Sequence, residues 1–146
     1  MIEVTGNLWD YPADVRIITT NASINSRGEC VMGRGCAKEA KTRYPELPKL
    51  LAAALKQEGN HPYAFRLGTD TLITFPVKHQ WFEHADLLLI RTSVLQLKRM
   101  LDPSITYVMP RPGCGNGKRE WCEVRHLLAD LPDNVHVIDF PAPDDK

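Results

Sequence analysis

Twice along this chain a short apolar run leads through a glycine-rich loop into a helix-like stretch, and few folds accommodate that order. The first instance begins with Val15–Thr20 (VRIITT), whose β-branched and apolar residues predict a buried strand. A glycine loop at residues 31–35 follows, and a helix is expected over residues 35–44. The second begins with a short buried strand at residues 105–109, continues through the loop at 112–117, and enters a helix expected over 119–130.

The intervening segments keep the alternation. Residues 45–57 (PELPKLLAAALKQ) predict a helix ended by Gly59-Asn60. Tyr63–Leu67 and residues 71–75 predict strands joined through Gly68-Thr69-Asp70. Residues 84–101 form the clearest amphipathic helix, with Leu87, Ile90, Val94, Leu97 and Leu101 at three- and four-residue steps. Residues 135–140 predict a last strand, and residues 141–146 a frayed end. Strands alternating with helices imply an α/β layered domain with a largely parallel sheet, and 146 residues suit one domain spanning 1–146. In such sheets ligands sit outside the carboxyl ends of the strands, so both glycine loops are expected at that edge.

The loops carry a chemistry of their own. Gly33 and Gly35 let the backbone turn and approach a ligand closely. The helix that follows offers free N–H groups and a positive dipole end to a phosphate, with Met32 and Arg34 beside it. In the second loop, Gly113, Gly115 and Gly117 alternate with Cys114 and Asn116, and successive N–H groups there form an anion-binding concavity. Each loop alone also reads as a tight turn. Neither matches the Walker A pattern or a full G-x-G-x-x-G.

Composition removes several classes. Eighteen Lys plus Arg balance eighteen Asp plus Glu, so nothing suggests broad electrostatic binding to DNA or a membrane. The N-terminus lacks a basic start and an apolar stretch, and no run is long enough to span a bilayer. The expected location is the cytoplasm of a bacterial or host cell. Cys30, Cys36, Cys114 and Cys122 show no C-x-x-C spacing and the five histidines no H-E-x-x-H pattern, so no metal site is expected.

These residues resemble the macrodomain family, the ADP-ribose-binding modules. The resemblance rests on Gly6-Asn7-Leu8, Thr20-Asn21-Ala22, VMGRGCA at 31–37 and PRPGCGNGKREW at 110–121, and it covers nearly the whole chain. Together with the FPVKHQW segment at 75–81, it looks most like the branch of DNA ADP-ribosyl glycohydrolase antitoxins and terminal ADP-ribose-protein glycohydrolases. The resemblance implies a three-layer α/β/α sandwich with a mixed, largely parallel central sheet. It implies Asn7, with Leu8, near the adenine, Asn21 near the distal ribose, and the two loops around the diphosphate. Asn7 stands where the family often has Asp, and its amide oxygen still accepts a hydrogen bond from an adenine amino group. Some members carry an acidic residue in the second loop; the matching place here is Gly117.

In the branch this resembles, a lysine at the place of Lys78 attacks the distal ribose or assists its release. An amine can add to the aldehyde of an opened ribose, provided it is neutral. Burial lowers its pKa, whereas a nearby diphosphate favours the charged form. Lys78 also reads as a plain cation near the phosphates. The neighbouring His79 suits proton transfer or a structural hydrogen bond. The implied activity is hydrolysis of the ADP-ribosyl linkage to a modified macromolecule. The alternatives are a non-catalytic ADP-ribose reader and an ADP-ribose 1″-phosphate phosphatase. ADP-ribose is the ligand and no cofactor is expected. The partner is ADP-ribose or an ADP-ribosylated macromolecule, nucleic acid being one option, and the chain is expected to be a monomer away from membranes. The basic cluster Lys118-Arg119 with Arg111 reads either as solvated surface or as a phosphate contact.

Overall fold

The computed structural model describes residues 1–140; the tail expected to fray, 141–146, lies outside the described residues. Its centre is β2 (Val15–Thr20), in which the consecutive residues Ile17 and Ile18 are both fully buried. Successive side chains of a strand point to opposite faces, so burial of both requires cover on both faces. β2 accordingly lies inside a six-stranded sheet of order β1-β6-β5-β2-β4-β3. The other strands are β1 (Ile2–Thr5), β3 (Tyr63–Leu67), β4 (Asp70–Pro76), β5 (Tyr107–Pro110) and β6 (Val135–Asp139). All neighbours pair in parallel except β3, which returns antiparallel on β4 through the turn at Gly68.

Two apolar layers cover the sheet. On one face Ile18, Leu72, Val108 and Ile138 meet α1 (Gly35–Arg43) and α2 (Leu47–Glu58) through Ala37, Ala40, Leu51 and Leu55. On the other, Ile17, Ile73, Phe75, Met109 and Val137 meet α3 (Leu87–Lys98) and α4 (Trp121–Val124) through Ile90, Val94, Leu97 and Val124. This is the three-layer α/β/α sandwich with a mixed, largely parallel sheet that the sequence implies.

The connections place the site. From β2 the chain crosses α1 and α2 on one face; from β5 it crosses α4 on the other. β2 and β5 are neighbours but pair only at Val15–Tyr107 and Arg16–Val108. On its other side β2 stays paired with β4 as far as Thr20 and Pro76, and β5 with β6 as far as Pro110 and Ile138. A crevice therefore opens at the carboxyl ends of β2 and β5, where the connections diverge.

Three elements differ from expectation. β1 was not anticipated: three of its four residues are exposed, so it lacks the alternation that marks a half-buried strand. The helix expected over 119–130 is the short α4 followed by a 3-10 turn, Arg125–Leu128; buried residues at three- and four-residue steps do not separate the two in so short a run. The helix expected from His84 begins at Leu87, because the Asp86 carboxylate accepts from the Leu88 and Leu89 N–H groups and fixes the N-cap there. No helix among the described residues is long and apolar enough to cross a membrane.

Replacing Asp86 with Ala removes that cap. It should cost about 1 kcal/mol of stability, read as a lower urea midpoint at unchanged slope.

Candidate functional site

The crevice at the ends of β2 and β5 is a cavity of about 600 Å³. Its walls come from three loops. After β2 they are Asn21 and residues 31–37; after β4, Lys78 and residues 81–84; after β5, Arg111, Gly113 and residues 115–118. A second cavity of about 570 Å³ shares Cys36, Pro110, Arg111 and Gly115 with the first and extends toward β1 and β6. Together they make one cleft along the carboxyl edge of the sheet.

The residues singled out in the sequence fall on this cleft. Asn21, Met32, Gly33, Arg34, Gly35, Lys78, Gly113, Gly115, Asn116 and Gly117 line the first cavity. Asn7, Leu8 and Cys114 line the second. Asn7 is not free, since its Oδ1 accepts from the Trp9 N–H at 2.8 Å, leaving one lone pair and its amino group. The Asn7–Tyr11 turn is held by Arg16, whose guanidinium donates to the carbonyls of Leu8, Trp9 and Tyr11.

Both glycine loops face the first cavity, but their glycines serve different ends. Gly113 sits at φ +76°, and a Cβ there would stand 2.7 Å from Ala85 Cβ. A Cβ on Gly117 would stand 2.5 Å from the Gly113 carbonyl and 2.9 Å from Ala85 Cβ. The loop therefore closes on itself and on Ala85, and the Ala85 N–H donates to the Gly117 carbonyl at 2.9 Å. Gly117 cannot hold a side chain in this conformation. Gly33 and Gly115 have open space around them, so their missing side chains leave the cavity wide rather than the fold intact. Arg34 caps α1 with extended backbone and no side-chain acceptor, so the first N–H groups of the helix lack a side-chain cap at the cavity wall.

Asn21 fastens the end of β2 to the first loop. Its Nδ2 donates to the Val31 carbonyl at 3.0 Å and its Oδ1 accepts from Ser23 N–H at 2.9 Å. One amide hydrogen remains for a ligand. Lys78 reaches across to the second loop, with Nζ donating to the carbonyls of Asn116 at 3.1 Å and Trp81 at 3.3 Å. Burial pushes its pKa below the ordinary lysine value, and the Arg34 and Lys118 charges push the same way. His79 turns away from the cavity to Asp86, at 3.0 Å, while Glu83 and His84 stand on its wall. Among the described residues no group of three or more His, Cys, Asp and Glu could hold a metal ion.

The basic cluster separates. Arg119 donates to the Ala85 carbonyl at 2.7 Å. Arg111 lies 3.7 Å from both Glu3 and Asp139 and over the Trp121 ring at 4.8 Å. Only Lys118 is exposed, on the cavity rim. The sequence placed Trp81 beside Lys78 only through the FPVKHQW segment, and gave Phe82, Glu83, His84 and Phe140 no place in the site. The adjacent aromatics Trp81-Phe82 inside a polar segment were the signal available. Glu120 starts α4: its N–H donates to the Glu123 carboxylate at 2.9 Å, and the Glu123 N–H donates to the Glu120 carbonyl at 2.9 Å.

No protein-family model matches the chain. It is 31% identical over 125 residues to proteins named DNA ADP-ribosyl glycohydrolase from Mycobacterium tuberculosis and Mycobacterium bovis; the match takes in 76% of this chain. The chain spans 35% of the length of those curated relatives. Among solved structures it superposes on the macrodomain of Mycobacterium tuberculosis DarG with a TM-score of 0.79 and 28% identity, covering 97% of this chain and 98% of that one. On Thermosipho africanus DarTG in complex with ADP-ribose the TM-score is 0.75 at 20% identity, covering 93% of this chain and 40% of that one.

The two kinds of glycine should separate by experiment. Gly117→Ala overpacks the loop and should cost about 1–3 kcal/mol, whereas Gly115→Ala should change stability by less than about 0.5 kcal/mol. Chemical denaturation of both variants measures the difference, and equal stabilities would contradict the packing described.

Proposed function

The chain belongs to the macrodomain family, and from that premise we propose that it binds ADP-ribose in the cleft and hydrolyses the bond joining ADP-ribose to a modified macromolecule. Four features support binding. The cleft is a crevice at the carboxyl edge of a parallel sheet. The uncapped start of α1 and the open backbone at Gly33 and Gly115 suit a diphosphate. Arg34, Lys78 and Lys118 bring positive charge to the same walls. A structural neighbour was solved with ADP-ribose bound.

The observation that carries turnover is the setting of Lys78. A neutral amine has two N–H donors and one lone pair. The carbonyls of Trp81 and Asn116 take the two donors, which leaves the lone pair for a ligand in the cavity. Partial burial and two neighbouring cations favour that neutral form. In the proposed step the lone pair forms a bond to C1″ of the distal ribose. The C1″–substrate bond breaks with its electrons on the departing group, which takes up a proton. Water then displaces the amine and regenerates Lys78. No side chain fits at Gly117, and Glu83 and His84, which line the wall, are the candidate donors of that proton beside the amine itself. The similarity to proteins named DNA ADP-ribosyl glycohydrolase supports the same reaction class.

ADP-ribose at a hundredfold excess over its Kd should stabilise the protein by about 2.7 kcal/mol, raising the melting temperature. Lys78→Ala should keep that shift and lose at least about a hundredfold in ADP-ribose release. Binding without release from any modified substrate would assign a reader module. Phosphate release from ADP-ribose 1″-phosphate that survives Lys78→Ala would assign a phosphatase.

The pH dependence follows from the direction of the Lys78 shift. The reactive form is deprotonated, so kcat/KM should rise with pH through the free enzyme's lysine pKa. The midpoint should lie below 10.5, the ordinary value. A rate that falls over the same range would remove the amine as nucleophile.

A further inference from the structure

We propose that Trp81 and Phe82 form a stacking platform for the nucleobase of a single-stranded nucleic acid whose ADP-ribose occupies the cavity; the proposal rests on the de-ADP-ribosylation reading above. The two rings meet edge to face, 5.7 Å apart at 88°, and remain 51% and 67% exposed. Both line the mouth of the first cavity.

Their exposure is built in. The Trp81 N–H donates at 2.9 Å to the hydroxyl of the buried Ser23, which itself donates to Gln80 at 2.7 Å. The Gln80 N–H is held by the Glu83 carboxylate at 2.7 Å, and the Ala22 N–H by the His79 carbonyl at 3.1 Å. A loop fastened at so many points presents its backbone already ordered, which lowers the entropic cost of a contact. Moreover, the Trp81 carbonyl accepts from the Lys78 amine, so the platform and the reacting group share one loop. A group attached to a sugar carbon at Lys78 leaves the cavity beside these rings.

The shape and charge of the mouth favour a nucleobase over a protein side chain. A base offers a flat face to an aromatic ring, which the carboxylate, hydroxyl or guanidinium of a modified side chain does not match in area. Arg34 and Lys118, both exposed, stand on the other walls, where they suit the phosphates flanking a nucleotide. A paired base is stacked on its neighbours and would have to flip out to reach the platform. A single strand meets the rings directly.

The test uses the Lys78→Ala chain, which is to bind without turnover. Its affinity for free ADP-ribose and for an ADP-ribosylated single-stranded oligonucleotide is measured by calorimetry, with and without the further pair Trp81→Ala and Phe82→Ala. The expected result is a loss of about tenfold or more for the oligonucleotide, in line with stacking of one base, and a change of less than about twofold for free ADP-ribose. Trp81→Phe with Phe82→Tyr should restore most of the loss. Equal losses for both ligands would show that the rings only shape the loop, and no loss for the oligonucleotide would show that they touch no base. A larger loss for an ADP-ribosylated peptide would turn the surface into a protein contact. Each of these outcomes overturns the platform while leaving ADP-ribose binding in place. Failure of free ADP-ribose to bind the unsubstituted chain would overturn the function on which the platform rests.

Discussion

The short parallel pairing of β2 with β5 sets the rest of the molecule. The two strands share a ladder only at Val15–Arg16 and Tyr107–Val108, then leave each other while remaining bound to β4 and β6. Past that point the backbone of β2 turns to other partners: the Thr19 N–H faces the Cys36 thiol at 3.5 Å. The loop after β2 runs to α1 on one face and the loop after β5 to α4 on the other. A cleft with glycine-rich walls follows from these two facts, because no side chain or helix closes the opening.

Around that opening, polar groups fall into those that hold the walls and those left for a ligand. Ser23, Arg16 and Arg119 spend donors on loop carbonyls or neighbouring side chains, and Asn21 spends one of its two amide hydrogens on the Val31 carbonyl. Glu3 gathers Arg125, Arg111 and the Trp121 indole, locking β1 to the second loop. Arg34 and Lys118 are exposed on the rim, and Lys78 has its nitrogen at the wall between two carbonyls. Walls held in this way need little rearrangement when a ligand enters, which lowers the cost of binding.

Much of the cleft was legible in the sequence because its parts lie on elements with strong local signals. VRIITT reads as a covered strand, and the glycines after it mark a place where backbone, not side chain, lines a cavity. What escaped had no such signal. β1 is an exposed edge strand whose pairing with β6 is a contact across the whole length of the chain. The second cavity depends on that pairing, since it brings the Asn7 turn beside Trp121 and Phe140. The role of Arg111 was open for the same reason: its partners Glu3 and Asp139 are remote in sequence.

The sequence by itself determined the layered α/β architecture and the two glycine loops at the carboxyl edge of the sheet. Each is encoded in a short run of residues whose periodicity or lack of a Cβ acts locally. Only the tertiary structure decided which glycines are required by packing and which by open space. It also decided that no acid fits at Gly117, and that Trp81 and Phe82 stand at the mouth beside Lys78. Those outcomes turn on distances between segments far apart in the chain, such as Ala85 to Gly117 and Ser23 to Trp81, and such distances exist only after the sheet has assembled.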